Sequence, residues 1–448
     1  MKGTRNLTEG PITPTLVKLT LPIIATNFIS TTYGLVDMIW VGKLGSDPVA
    51  AIGTASFFVN LAVALSTMIT IGTGIKVAHS IGEGREDQAK VYIKNGFLMS
   101  VVLSVLYMVI IFTFKNGLIG FFGLGNDNVE SMAIQFLLIS MIGISFSIIN
   151  TLFSTIINSL GNSKRPFKIF TIGFLINMLL DPILIFGLGP IPAMEVKGAA
   201  FATLAANMFV TVLFVFEAKN THLFAKNISY KWKEMREVIS LGIPITIQRV
   251  TFTVISIIIA KIIVNWGPEA IAVQKVGIQI ESISYMTIGG LQGAIAAFFG
   301  QNYGARKLGR IKEGYHRALL LTMTFGVFIS FIFILFPKPL FSLFLTDSTS
   351  LELGADYMRI IGYSQLFMCL ELMTVGAFNG IGKTHIPPIF SIALTALRIP
   401  MAIVLSWHFG LNGVWMSIAL SSVLKGVILV VWFNMTLRNL NKPVALNT

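Results

Sequence analysis

Apolar stretches of about 20 residues or more follow one another along nearly the whole 448-residue chain, and hydrocarbon is the only solvent that suits them. A helix needs about 20 apolar residues to cross a bilayer core of ~30 Å. On that ruler twelve spans fall near 16–43, 49–77, 91–114, 130–159, 166–188, 197–217, 238–265, 270–298, 315–336, 352–380, 386–408 and 412–436. The short stretch GLIGFFGL (117–124) reads as loop or interfacial helix. Only 12% of the residues are charged and 54% are apolar, against roughly 25% charged in a soluble domain. The expected fold class is therefore an all-α polytopic membrane protein with lipid as its surroundings.

Charge distribution sets orientation and excludes one partner. The net charge of +13 comes from bases scattered over short loops, whereas a nucleic-acid binder gathers them on one face or tail. Counting span ends with the nearest loop, 22 Lys and Arg lie on the side of the N-terminus. They include Lys2, Arg5, Lys226 and Lys442; only Lys43, Lys115, Lys197 and Lys338 lie opposite. The positive-inside rule then puts both termini in the cytoplasm. The first span is too long for a removable signal and lacks a small-residue cleavage site. Cys369 is the one cysteine, which leaves no disulfide framework and no cysteine metal cluster.

The chain repeats itself. At a spacing of 222, Pro22 matches Pro244, Gly45 matches Gly267, Ala50 matches Ala272 and Gly82 matches Gly304. INSLGNSKRP (157–166) returns as FNGIGKTHIP (378–387), at a spacing of 221. Six spans precede the second copy, so both copies enter the membrane in the same sense, the parallel-repeat plan of rocking transporters. The expected organisation is an N-terminal six-helix bundle (1–217), a cytoplasmic linker loop (218–237) and a C-terminal six-helix bundle (238–448).

Ionisable groups inside spans are costly and so are functional candidates. Four acids qualify: Asp37, Asp181, Glu281 and Glu371. Lys76, Lys261, Lys275 and Arg359 lie near enough to span ends to snorkel, whereas Arg249, Arg398 and Lys425 lie deeper. Tyr33 is one turn before Asp37 on the same face, and the repeat partner of Asp37 is Ile259, so the helix itself does not demand an acid there. Asn177 is one turn before Asp181. Pro182 lacks an N–H, which frees the Met178 carbonyl. A carboxylate, an amide and a freed carbonyl suit a proton or a small hard cation. The alternative is two unrelated buried acids, each hydrogen-bonded to a neighbouring helix. In the second half, two acids and three bases suggest internal ion pairing.

Enzyme motifs do not carry over. AFNGIGKT (377–384) loosely fits a phosphate loop but ends a membrane span, whereas that loop must follow a strand and open a helix. The five histidines have no HExxH or paired-ligand spacing. A membrane-embedded enzyme should show an acidic metal pair or a nucleophile, and neither is readable, so no enzymatic activity is expected.

PIIATNFISTTYGLVDMIWVGKLG, SIGEGRED, INSLGNSKRP, NMLLDPILIFGLG and VKGAAFATL resemble the multidrug and toxic compound extrusion (MATE) transporters. So do GIQIESISYM, GQNYGARKLGR, FNGIGKTHIP and LRIPMA in the second half. The resemblance spans essentially the whole chain and is strongest to the DinF-like prokaryotic branch. It implies two six-helix bundles forming a V-shaped cleft, in the inner or plasma membrane of a prokaryotic cell. It also implies efflux of lipophilic, mostly cationic compounds by antiport with H+ or Na+, with no other cofactor, by a monomer. Carried over by motif, the coupling and substrate site falls on Tyr33, Asp37, Asn158, Asn177, Asp181 and Thr203. Na+ would take Asp37, Asn177, Asp181 and Thr203 as ligands. The NorM-like branch has an acid in the seventh helix, where this chain reads PITIQRVTF with Gln248 and Arg249; this favours the N-terminal site. Glu281, Glu371, Arg398 and Gln248 are secondary candidates in the C-terminal bundle. The 35 Phe and 19 Met offer adaptable contacts to flat cations. A flippase for a lipid-linked sugar or another amphipathic anionic lipid is the alternative, kept by Arg249, Arg398 and Lys425.

Overall fold

A computed structural model describes residues 6–223 and 230–440. Lys2, Arg5, Lys226 and Lys442, and the middle of the expected linker, lie outside the described residues. Hydrocarbon cannot hydrogen-bond a backbone, so spanning segments must satisfy their own amides and carbonyls. The described residues accordingly form helices: α1 Ile12–Gly42, α2 Ser46–Gly82, α3 Glu86–Gly120, α4 Asp127–Ser159, α5 Lys164–Phe186 and α6 Glu195–Thr221. The second set is α7 Trp232–Ile263, α8 Pro268–Gly304, α9 Leu308–Leu335, the short α10 Pro337–Phe341, α11 Ser348–Gly380, α12 Ile386–Ala396 and α13 Arg398–Leu440. Asn126 caps α4 by accepting from the Asn128 amide, and Asp347 caps α11 by accepting from Ser350.

Several helices extend past the expected spans by a turn or two. α3 runs through Gly120, so the first half of GLIGFFGL continues a helix, and α10 is an element the apolar ruler does not register.

The last helical stretch settles the number of spans. Residues 386–440 are predominantly apolar and helical on both sides of Gly410, yet Gly410 has φ 56° and ψ −137°, a conformation open to glycine and strained for other residues. The chain turns back there. A Cβ on Gly413 would sit 2.3 Å from the Leu405 carbonyl oxygen. The Arg398 guanidinium reaches Ser421 and Ser422, which a straight helix would put about 35 Å away. The arms before and after Gly410 are two spans, giving the twelve expected.

The chain forms two compact units, and their boundaries differ from the expected breaks at 217 and 238. One unit comprises Met1–Asn6 and Ala25–Ile243, the other Leu7–Ile24 and Pro244–Thr448. α1 and α7 each change unit within two residues of Pro22 or Pro244, the matched prolines of the repeat. Both kinds of contact that hold these segments are plain. In the second unit, the Leu7 amide donates to Gln301 at 3.0 Å and Asn302 donates to the Leu7 carbonyl at 3.1 Å. Arg310 and Lys307 donate to the carbonyls of Gly10 and Thr8. In the first unit, the start of α7 packs so closely on α2 that a Cβ at Gly242 would lie 1.9 Å from the Met68 carbonyl oxygen. There Lys76, expected to snorkel, instead pairs with Glu237 at 2.7 Å, and Tyr92 donates to the same carboxylate. The helical part of the expected linker follows from this: α6 continues to Thr221 and α7 begins at Trp232.

Each unit has its own core. Phe153 stacks on Phe214 at 5.3 Å in the first unit. Phe298, Phe299, Tyr315, Phe378 and Phe433 cluster in the second, together with Leu7, Leu16 and Leu19 of the exchanged segment. Gly410→Ala is expected to destabilise the protein by about 1–3 kcal/mol, the usual cost of a residue held in such a backbone conformation. Thermal melting of the purified variant checks this, and an unchanged midpoint would refute the turn at Gly410.

Candidate ion-coupling site

Four side chains of the first unit meet inside the helix bundle. Asp37 lies five residues before the end of α1, Asn177 and Asp181 one turn apart on α5, and Thr203 on α6. The i, i+4 spacing puts Asn177 and Asp181 on one face, and the Asn177 amide donates to Asp181 Oδ1 at 3.2 Å. The same amide reaches Thr203 Oγ1 at 3.4 Å, and Thr203 in turn donates to Asp37 Oδ2 at 3.1 Å. The carboxyl groups of Asp37 and Asp181 lie within hydrogen-bond reach of each other. Asn177 and Asp181 are fully buried, at 0% exposure.

The remaining valences matter most. Asp37 Oδ1, Asn177 Oδ1 and Asp181 Oδ2 are all buried and have no donor, although buried acceptors are nearly always met. Two carboxylates in contact in a low-dielectric interior repel strongly, and a proton or cation between them removes that repulsion. The donor set consists of carboxylate, amide and hydroxyl oxygens, which fits a hard cation. Among the described residues, no group of three or more His, Cys, Asp or Glu is placed to hold a metal ion.

Tyr33 belongs to the periphery of the cluster. Its hydroxyl donates to the Gly173 carbonyl on α5 at 3.0 Å, and its ring tilts against Phe174 at 5.7 Å. These contacts tie α1 to α5 one turn from Asp37. α5 remains helical through Pro182.

Asn158 does not join the cluster. It is the penultimate residue of α4, α5 begins six residues later at Lys164, and Asp181 is 17 residues into α5. At 1.5 Å per residue that is about 26 Å along the axis. Its carbonyl instead closes the α4–α5 turn by accepting from Gly161.

Conversely, Asn150, Asn207 and Thr211 escaped the sequence reading. Thr211 donates to Asn150 Oδ1 at 2.7 Å, Asn150 donates to the Asn207 carbonyl, and Asn207 donates to the Thr203 carbonyl. This ladder positions α6 and hence Thr203. Its signal was available: Thr203, Asn207 and Thr211 recur every four residues in an apolar span.

In the second unit the expected pairing of two acids with three bases forms only once. Lys425 pairs with Glu371 at 2.9 Å, and Ser391 donates to the same carboxylate at 3.1 Å. Glu281 accepts from Tyr357 and from Gln365. Arg398 donates to two serine hydroxyls. Arg249 is exposed on α7, because its position on the helix faces away from the packed side. Gln248 lies one turn beyond Pro244, and none of the described hydrogen bonds joins it to these groups.

A duplicated twelve-span helical fold with buried acids in both repeats defines a multi-pass membrane protein of the parallel-repeat transporter class. The MatE family model matches residues 22–183 and again residues 244–404, and the chain belongs to the MatE family. The two matches begin 222 residues apart and end 221 apart, the spacings of the repeat. The chain is 27% identical over 431 residues to a probable multidrug resistance protein NorM of Thermotoga maritima, covering 93% of this chain and 91% of that one. It is 24% identical over 434 residues to a FAD transporter of Shewanella oneidensis, covering 95% of each. Among solved structures, it resembles the outward-facing conformation of a multidrug resistance MATE family transporter with a TM-score of 0.90, at 22% identity over 99% of both chains.

Thr203 bridges Asp37 and Asn177, so Thr203→Val should leave two polar groups unmet. The expected loss is about 1–3 kcal/mol of stability, readable as a lower melting temperature of the purified protein. An equally stable variant would show that the hydroxyl is not a structural bridge.

Proposed function

We propose that this protein exports lipophilic, mostly cationic compounds in exchange for H+ or Na+, acting as a monomer by alternating access. The observation that supports the reading best is the Asp37–Asn177–Asp181 cluster with its three unmet oxygens. While the pair carries negative charge it favours a cationic substrate. Binding of H+ or Na+ removes that charge and repacks the helices that carry the two acids. Drug and ion then disfavour each other's binding, and that coupling free energy is what antiport requires. Na+ would bind through Asp37, Asn177, Asp181 and Thr203; H+ would bind between the two carboxylates. The names of relatives described as multidrug resistance proteins agree with this reading. A flippase of pyrophosphate-bearing lipids would need several cations gathered at one site, whereas Lys425 is neutralised by Glu371 and Arg249 is exposed on α7.

Asp37→Asn keeps the shape and can still hydrogen-bond Thr203, but it cannot carry charge or cycle a proton. The purified variant should fold normally and lose ethidium efflux from proteoliposomes, under whichever of separately imposed proton and sodium gradients drives the wild type. Full efflux by the folded variant would end the coupling role. Asp181→Asn should impair efflux as well, to a lesser degree.

The excess of bases on one side supports a cytoplasmic position for both termini and the α6–α7 connection. With Cys369→Ser as background, His222→Cys should react with an impermeant maleimide in lysed cells and not in sealed ones. Labelling in sealed cells would reverse the topology and the direction of antiport.

A further inference from the structure

The second unit contains a cavity of ≈ 410 Å³, within the ~300–1,000 Å³ range of sites for drug-sized ligands. Ile255, Ile259 and Ile263 of α7, spaced every four residues, present one apolar wall, and Ile278 of α8 adds to it. Arg398, Glu281, Lys275 and Gln274 are among its polar lining residues. From these residues we propose that this cavity is a binding site for an amphipathic organic anion, an apolar body with a single carboxylate or sulfonate, anchored by Arg398.

The repeat gives the first argument. Ile259 occupies the position that Asp37 has in the first unit. Carrying the 221 spacing of 157–166 and 378–387 along α5 on one side and through α12 into the start of α13 on the other places Arg398 at the position of Asn177 and Ala402 at that of Asp181. Two acids and an amide in one unit correspond to Ile, Ala and Arg in the other. The cavity is the repeat-related counterpart of the acid cluster, with the sign of its charge reversed.

Charge accounting gives the second. Of the buried ionisable groups here, Glu371 and Lys425 neutralise each other. Glu281 accepts from Tyr357 and from Gln365, neutral groups that leave its charge in place, but Arg398 and Lys275, which line the same cavity, outnumber it. Arg398 is 6% exposed and donates to Ser421 and Ser422, whose hydroxyls bring no negative charge. Among the described residues no carboxylate forms an ion pair with it. A guanidinium has five N–H donors in a planar fork suited to a carboxylate, and only two are used. The face of Phe252, 5.8 Å from the guanidinium carbon, borders the same space. Gln274 Oε1, buried without a donor, is a second anchor for a ligand that also carries a hydroxyl or amide N–H.

The test uses the full-length protein in phosphatidylcholine nanodiscs, titrated calorimetrically against empty nanodiscs. The probes are naphthalene-2-carboxylate and the similarly shaped cation 2-naphthylmethylammonium. The carboxylate should bind saturably and the ammonium should not bind in the cavity. Arg398→Gln should weaken the carboxylate by about tenfold or more, as for a lost hydrogen bond to a charged group, with Arg398→Lys less affected. Ala260 of α7 also lines the cavity, and Ala260→Phe fills the apolar part; it should abolish carboxylate binding while ethidium efflux continues, so this reading and the efflux reading fail separately. If Arg398→Gln does not fold, Ala260→Phe decides. Absent saturable binding, or binding that survives Ala260→Phe, would overturn the proposal, as would an ammonium signal that Ala260→Phe removes. Phosphatidylglycerol in the nanodiscs should not compete; competition by that lipid would overturn the assignment to a soluble anion.

Discussion

Hydrocarbon supplies neither hydrogen bonds nor counter-charge, and the architecture follows from that lack. Backbone groups must close on themselves, which makes every span a helix. Side-chain polarity must be matched inside the bundle, which makes each deviation from apolar packing specific. Glu371 has Lys425, Glu281 has Tyr357 and Gln365, and Tyr33 has the Gly173 carbonyl. Among the buried polar atoms that lack a donor, three, on Asp37, Asn177 and Asp181, fall together on converging helices, and Arg398 forms no ion pair with a carboxylate among the described residues.

The spans, their number and the duplication were legible in the sequence because each rests on a one-dimensional property. Span length follows from bilayer thickness, and the repeat follows from matched prolines, glycines and the INSLGNSKRP and FNGIGKTHIP segments. Asp37 and the i, i+4 pair of Asn177 and Asp181 were legible as deep polar groups, whereas the residues alone left open whether they meet or bond separate helices. The addition of Thr203 came through family likeness, and its hydrogen bonds to Asp37 and Asn177 give it a physical place.

What the sequence hid depends on three-dimensional packing. Asn158 shares a motif with its repeat partner, yet its helix ends there and the motif serves the α4–α5 turn. Lys76 looked like a snorkelling base because Glu237 is 161 residues away. The unit boundaries were hidden for the same reason. Leu7–Ile24 precede the rest of the first bundle in the chain, but their amides and carbonyls are met by Gln301, Asn302, Lys307 and Arg310. Chain order alone would assign them to the wrong core.

Duplication explains why one fold can hold sites of opposite polarity. The backbone of each repeat needs its prolines, glycines and close helix contacts, and these recur at fixed spacing. The positions facing the interior are free of that demand, as the pairing of Asp37 with Ile259 illustrates. An acid at such a position costs desolvation energy in hydrocarbon, and so does an arginine; neither is needed for the helix to form or pack. Under the two proposals made above, the exchange of Asp37 and Asp181 for Ile259 and Ala402, and of Asn177 for Arg398, changes what the interior can bind and leaves the helices in place. In the first unit that freedom is used by Asp37 and Asp181, and in the second by Arg398. Because each charged group is held by neutral partners of its own unit, Thr203 and Asn177 on one side and Ser421 and Ser422 on the other, the two sites can change chemistry independently while the shared helical frame stays the same.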